Sequence, residues 1–157
     1  MNIHSIKLKP LVISIIIPFA LAGLSVLLSG NFSRVYETVN KPSFAPPNWI
    51  FPVVWSILYL LMGISCYLIY TQKSDLKSNA LYYYGLQLVI NILWPVIFFR
   101  MKLFLFAFIW LCLLAVAVFL MLIYFRKIKP VAAYLQIPYM VWLVFAGVLN
   151  GAVYFLN

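Results

Sequence analysis

The chain has 157 residues, 67% of them hydrophobic and 8% charged, with a net charge of +9 at neutral pH. An average soluble domain carries about 25% charged residues, so the composition excludes a water-soluble globule and describes a membrane protein. The excess of positive charge is no nucleic-acid footprint, because the basic residues are scattered over the ends of apolar stretches without a clustered patch; membrane lipid head groups are the natural counter-ions.

Crossing a hydrocarbon core takes about 20 apolar residues in a helix, and five uncharged stretches meet that length: residues 11–30, 50–70, 80–99, 103–125 and 131–156. The first follows Lys7 and Lys9 and ends in Ser29-Gly30. The apolar core of a secretory signal is only about 7–15 residues, so this run is expected to remain as a membrane span. Residues 31–48 form the one substantial loop, carrying Arg34, Tyr36, Lys41 and Phe44. Its prolines, Pro42, Pro46 and Pro47, restrict themselves and the residues before them, so much of the loop is expected to be stiff and non-helical. Two readings stand for it: a lid over one end of the bundle, or an anchor among the lipid head groups.

In the second span Trp55, Tyr59, Met62 and Cys66 share one face, and Gly63 is expected to open a gap beside them. Trp49 sits at the start of that span, where an interfacial anchor belongs. Trp55 lies about 9 Å deeper at the helical rise of 1.5 Å per residue, so it is either a deep anchor or a ligand contact. In the third span Gln87, Asn91 and Trp94 are spaced to share a face that points into the bundle. Interhelical hydrogen bonds, worth about 0.6 kcal/mol each on average, would account for the amides; so would orienting a ligand. In the fifth span Trp142, Ala146, Leu149 and Val153 form a stripe with Asn150 beside it. Gly147 and Gly151 form a small-xxx-small pair on a neighbouring face, read either as packing within the monomer or as the contact of a homodimer.

Backbone groups in lipid must be satisfied internally, and runs this long and continuously apolar are not barrel strands. The expected fold is therefore an all-α membrane protein, a five-transmembrane-helix bundle forming one domain over residues 1–157. The short connections at 100–102 and 126–130 make spans three, four and five antiparallel to their chain neighbours. No ionisable side chain lies inside a span; Glu37 and Asp75 are in loops and the one histidine, His4, is in the N-terminal tail. A proton-coupled pump, a carboxylate hydrolase, a membrane metalloprotease and a haem protein each lack the residues they need. No catalytic, metal or cofactor site is expected. Cys66 and Cys112 lie within spans and read as small reduced hydrophobes.

Four blocks of residues carry a family resemblance. They are Lys41-Pro42-Ser43-Phe44-Ala45-Pro46-Pro47 followed by Trp55; Leu58-Tyr59-x-x-Met62-Gly63; Gln87-x-x-x-Asn91-x-x-Trp94-Pro95-x-x-Phe98-Phe99; and Pro138-Tyr139-x-x-Trp142-x-x-Phe145-Ala146-x-x-Leu149-Asn150. In that order they resemble the tryptophan-rich sensory protein family, also called translocator protein or peripheral benzodiazepine receptor. The resemblance implies a multi-pass protein, here of a bacterial cell membrane, that binds porphyrins or similar flat apolar molecules in a cavity closed by the first loop. It places ligand-binding residues at Tyr36, Trp55, Asn91, Trp94, Trp142, Ala146 and Leu149, with Arg34 or Lys41 available to ligand carboxylates. Two departures stand out. Phe44 replaces the family's usual Trp, and the sterol-associated pattern is not completed after Tyr154, where Phe155-Leu156-Asn157 carries no cation. The leading expectation is a binding or sensory protein; the alternatives are light- or oxygen-dependent porphyrin breakdown and transport.

Lys7, Lys9, Lys73, Lys77, Arg126, Lys127 and Lys129 would lie on one side of the membrane and Arg34, Lys41, Arg100 and Lys102 on the other. The positive-inside rule therefore puts the N-terminus in the cytoplasm and the first loop outside. With Cys66 and Cys112 replaced, an impermeant thiol reagent added to intact cells is expected to label Arg34→Cys and spare Lys77→Cys. Labelling of Lys77→Cys from outside would invert this topology.

Overall fold

The structure, a computed structural model, describes residues 6–157; His4 lies outside them. Among the described residues the chain is all helical: α1 (Leu8–Ser29), α2 (Phe32–Thr38), α3 (Ile50–Tyr70), α4 (Lys77–Pro95), α5 (Phe104–Ile128), α6 (Pro130–Tyr134) and α7 (Ile137–Leu156). Five spans long and apolar enough to cross a membrane result, with α4 extended to Arg100 and α6 and α7 counted together. The apolar side chains left exposed, such as Leu27, Val53, Phe119 and Val144, face outward from the bundle; for a protein in lipid they are ordinary surface.

The short connections keep α4 beside α5 and α5 beside α7, while α1 packs on both α3 and α4. The helices thus follow one another around the bundle as α3, α1, α4, α5 and α7. An apolar groove of about 430 Å³ separates the two ends of this series, lined from α3 by Val54, Ile57 and Leu58 and from α7 by Pro138, Val141, Trp142 and Phe145.

Three prolines inside spans shape this bundle. Pro18 lacks the N–H that would bond the Ser14 carbonyl one turn back, and that freed carbonyl is turned toward α3. It meets Gly63, where a Cβ would stand 2.8 Å from the Ser14 oxygen and 2.6 Å from the Ile15 Cα. Gly63 therefore opens no gap on the Trp55 face, contrary to the sequence reading; it is where the α1 backbone seats. Pro95 ends α4 in its regular form, and the chain continues as a π-helical turn over Val96–Arg100, with the Met101 N–H on the Val96 carbonyl. Pro138 divides the fifth span. It cannot donate to Tyr134, so α6 stops there, and the turn before α7 buries Gln136 completely.

Gly147 and Gly151 differ from Gly63. A Cβ on Gly147 would meet nothing within 4 Å, and one on Gly151 would make only an ordinary 3.5 Å contact with the Phe108 ring. Close packing inside the chain does not require either glycine. Gly63→Ala is therefore expected to push α1 from α3 and destabilise by about 1–3 kcal/mol, read as a lower Tm in detergent. Gly147→Ala should leave Tm where it is.

Candidate functional site

The first loop begins with a helix that its prolines do not reach. Asn31 caps α2 by accepting from the Arg34 N–H at 3.0 Å, and α2 turns Tyr36 inward, where it is 6% exposed. The Tyr36 hydroxyl donates to the Pro46 carbonyl at 2.7 Å, which folds the proline-rich half of the loop back over α2. Lys41 donates its ammonium to the Tyr36 carbonyl and stands 4.7 Å from the centre of the Tyr36 ring, a cation–π contact. The end of α7 holds the loop from the other side. Asn157 accepts from the Asn40 N–H at 3.0 Å and donates to the Asn40 carbonyl at 2.9 Å. Lys41 is thus engaged within the loop, whereas Arg34 is exposed.

Burial raises the Tyr36 phenol above its ordinary value of 10.0. It stays protonated and able to donate across neutral pH. The stability it lends is complete below the ordinary tyrosine pKa and is lost as pH rises through the raised one.

Aromatic rings carry the loop into the bundle. Phe32 packs edge-on against Phe99 at 4.9 Å, and Phe51 takes both Tyr36, at 5.1 Å, and Trp142, at 5.9 Å, in edge-to-face contacts. Deeper, Trp55 stacks on Tyr59 at 5.3 Å and meets the edge of Tyr139 at 6.1 Å. Phe51, Trp55 and Tyr59 are four residues apart and share one face of α3.

Below these rings lies a buried polar chain. The Tyr59 hydroxyl donates to Asn91 Oδ1, Asn91 Nδ2 donates to the Tyr139 hydroxyl, and that hydroxyl donates to Gln87 Oε1, each at 2.9 Å. It ties α3, α4 and α7 together. Trp94 belongs to a second arrangement. Its indole donates to Asn150 Oδ1 at 3.2 Å, Asn150 in turn donates to the Phe104 carbonyl at 2.8 Å, and the ring packs on Phe98 and Phe99.

The seven residues expected at the site thus divide. Tyr36, Trp55, Trp142 and Asn91 gather along one path from the loop to the polar chain. Trp94 is held toward Asn150 and α5. Ala146 and Leu149 continue α7 one and two turns beyond Trp142, half-buried and buried respectively. The tryptophans divide as well. Trp94 and Trp110 have their indole N–H groups satisfied, Trp110 on the Ile90 carbonyl at 2.8 Å. Trp49 is 66% exposed. Trp55 and Trp142 are half-buried, and among the described residues neither indole N–H has an acceptor.

This chain matches the TspO/MBR family over residues 14–156. It is 36% identical to protein CrtK of Rhodobacter capsulatus over 124 residues, 78% of either chain. It is also 34% identical to tryptophan-rich protein TspO of Archaeoglobus fulgidus, over 87% of this chain and 93% of the relative. With the human translocator protein it shares 34% identity, over 83% of this chain and 79% of the relative. The chain belongs to the TspO/MBR family.

In this TspO/MBR protein, reading by motif gave no site role to Phe51 or to Tyr139. Phe51 joins the loop to Trp142, and its signal was its place one turn before Trp55. Tyr139, 1% exposed, is the hub of the polar chain, and it stands three residues before Trp142. Tyr139→Phe should leave Asn91 Nδ2 and Gln87 Oε1 buried without their partner, costing about 1–3 kcal/mol, visible as a lower Tm. The same change at Tyr82, which is 64% exposed, should leave Tm unmoved.

Proposed function

We propose that this multi-pass TspO/MBR protein binds flat apolar molecules carrying a hydrogen-bond acceptor, of the porphyrin class, against Trp55 and Trp142 beneath the first loop. The observation that carries this reading is the pair of half-buried tryptophans, Trp55 and Trp142, whose indole N–H groups have no acceptor among the described residues. Each indole packs against aromatic rings, Trp55 on Tyr59 and Tyr139 and Trp142 on Phe51 and Phe145, and a donor in apolar surroundings is costly until an acceptor meets it. A planar ligand supplies both things this place offers: a π-face for the rings around Phe51, Trp55 and Trp142, and an acceptor for the indoles. Arg34, exposed on α2, is the cation positioned for ligand carboxylates. A molecule of this class dissolves in the bilayer, and the apolar groove between α3 and α7 gives it a lateral path to Trp142.

The test is a titration of purified protein with protoporphyrin in the dark, followed by fluorescence. Trp55→Phe and Trp142→Phe keep an aromatic ring and delete the N–H, and each should weaken binding by about 0.5–1.5 kcal/mol, roughly 2- to 10-fold. Trp49→Phe should bind like the wild type. Equal affinities for all three variants would refute this site. Illuminating the same samples and following absorbance separates binding from light-dependent breakdown.

A further inference from the structure

At the foot of the polar chain, three buried groups are left over. Gln87 and Gln136 are completely buried and Tyr84 is 6% exposed. Gln87 Nε2, Gln136 Oε1 and the Tyr84 hydroxyl have no nitrogen or oxygen partner among the described residues. Gln87 uses only its oxygen, on Tyr139. Gln136 uses only its nitrogen, on Ser65 Oγ at 2.8 Å, and Ser65 passes that bond on to the Ala132 carbonyl at 3.0 Å. Turning either amide over exchanges its ends and still leaves one polar atom idle, so the count does not depend on amide orientation.

Chain register places the three groups in one layer of the bundle. Alternation of the spans makes α4 and α7 parallel, and Gln87 and Tyr139 are in contact. Tyr84 stands three residues before Gln87 and Gln136 three before Tyr139, so both lie one turn toward the cytoplasmic side. Among the described residues, the one group beside the Tyr84 hydroxyl is the Cys66 thiol on α3, and a thiol is so weak a hydrogen-bond partner that the hydroxyl's strong bond is still unmade. No charged side chain is present in this layer. What is offered is a neutral donor, a neutral acceptor and a hydroxyl that can be either, contributed by α4 and by the turn before α7.

We propose that Tyr84, Gln87 and Gln136 form an internal hydration site that holds one buried water. The water accepts from Gln87 Nε2, donates to Gln136 Oε1 and shares its third bond with Tyr84, which is the usual complement of about three for a buried water. It also ends the chain that starts at Tyr59. With Gln87 Nε2 committed to the water, Gln87 Oε1 remains the acceptor for Tyr139, and the direction of every bond up to Asn91 is set. This site does not depend on the ligand reading above.

Tyr84→Phe decides it by the sign of a shift. A hydroxyl bonded to a shared water is lost at a cost, and Tm should fall by about 2–4 °C. A hydroxyl with no partner is a buried liability, and its removal should raise Tm. Difference infrared spectra in H₂¹⁶O and H₂¹⁸O should show an isotope-sensitive O–H stretch in the wild type that is missing in the variant. Protoporphyrin affinity should be unchanged, since the site lies below the pocket. A raised or unmoved Tm, an isotope-sensitive band that survives the substitution, or no such band in the wild type would overturn the proposal. Weakened porphyrin binding would overturn it too, by assigning the three groups to the ligand.

Discussion

In hydrocarbon a hydroxyl or an amide has no solvent to fall back on, so Tyr59, Asn91, Tyr139 and Gln87 have to find one another. The rotational settings of α3, α4 and α7 follow. Each bond is modest, on the order of 0.6 kcal/mol by comparison with other membrane proteins. Leaving one of these groups unpaired costs about 1–3 kcal/mol, and that asymmetry gives the network its authority. Lipid-facing side chains tolerate rotation of a helix, because one apolar residue in lipid is much like another. A buried amide does not. The same setting that pairs Asn91 with Tyr59 and Tyr139 also turns Trp55 and Trp142 inward, since Trp55 is one turn from Tyr59 and Trp142 one turn from Tyr139.

The prolines supply what regular helices could not. Pro18 frees a carbonyl that faces Gly63, so α1 and α3 approach closely enough for backbone to meet backbone. Pro138 interrupts the fifth span just where Gln136 must be buried. The π-helical turn after Pro95 points Phe98 and Phe99 inward together, both 5% exposed, to receive Phe32 and Trp94. At its end Arg100 reaches back to the Leu28 carbonyl at 3.2 Å, tying the third span to the first.

Much of this was legible in advance because the membrane imposes strong rules. Five uncharged runs mean five spanning helices, and the spacing of Gln87 and Asn91 means one inward face. What was not legible depends on distances between helices. Gly63 read as a gap because its neighbours in sequence are bulky; its partner is a backbone carbonyl on α1, which no pattern along α3 reveals. Gln136 was passed over because a continuous span 131–156 leaves its direction undefined, whereas the break at Pro138 defines it. Tyr139 looked like one aromatic among many until its hydroxyl was found to take Asn91 and Gln87 at once. Among the residues expected at the site, Trp94 shares a helical face with Asn91, yet the availability of Asn150 as an acceptor draws its indole toward α7 and α5.

That last contrast bears on selectivity. A membrane-embedded pocket has little to gain from shape alone, since lipid chains fit most apolar clefts, and this chain keeps charged groups out of its spans. The polar atoms available to a ligand are then neutral ones left over after the bundle has satisfied itself. Asn91 has bonds to two tyrosines, Trp94 and Trp110 have acceptors, and Lys41 is held by the loop. Above the polar chain, the Trp55 and Trp142 indoles remain. Two neutral donors among aromatic rings favour a rigid planar molecule with acceptors over an acyl chain, which has neither a π-face nor an acceptor along its length. On the function proposed above, discrimination therefore comes from the ligand's own polar atoms meeting donors that lipid cannot satisfy.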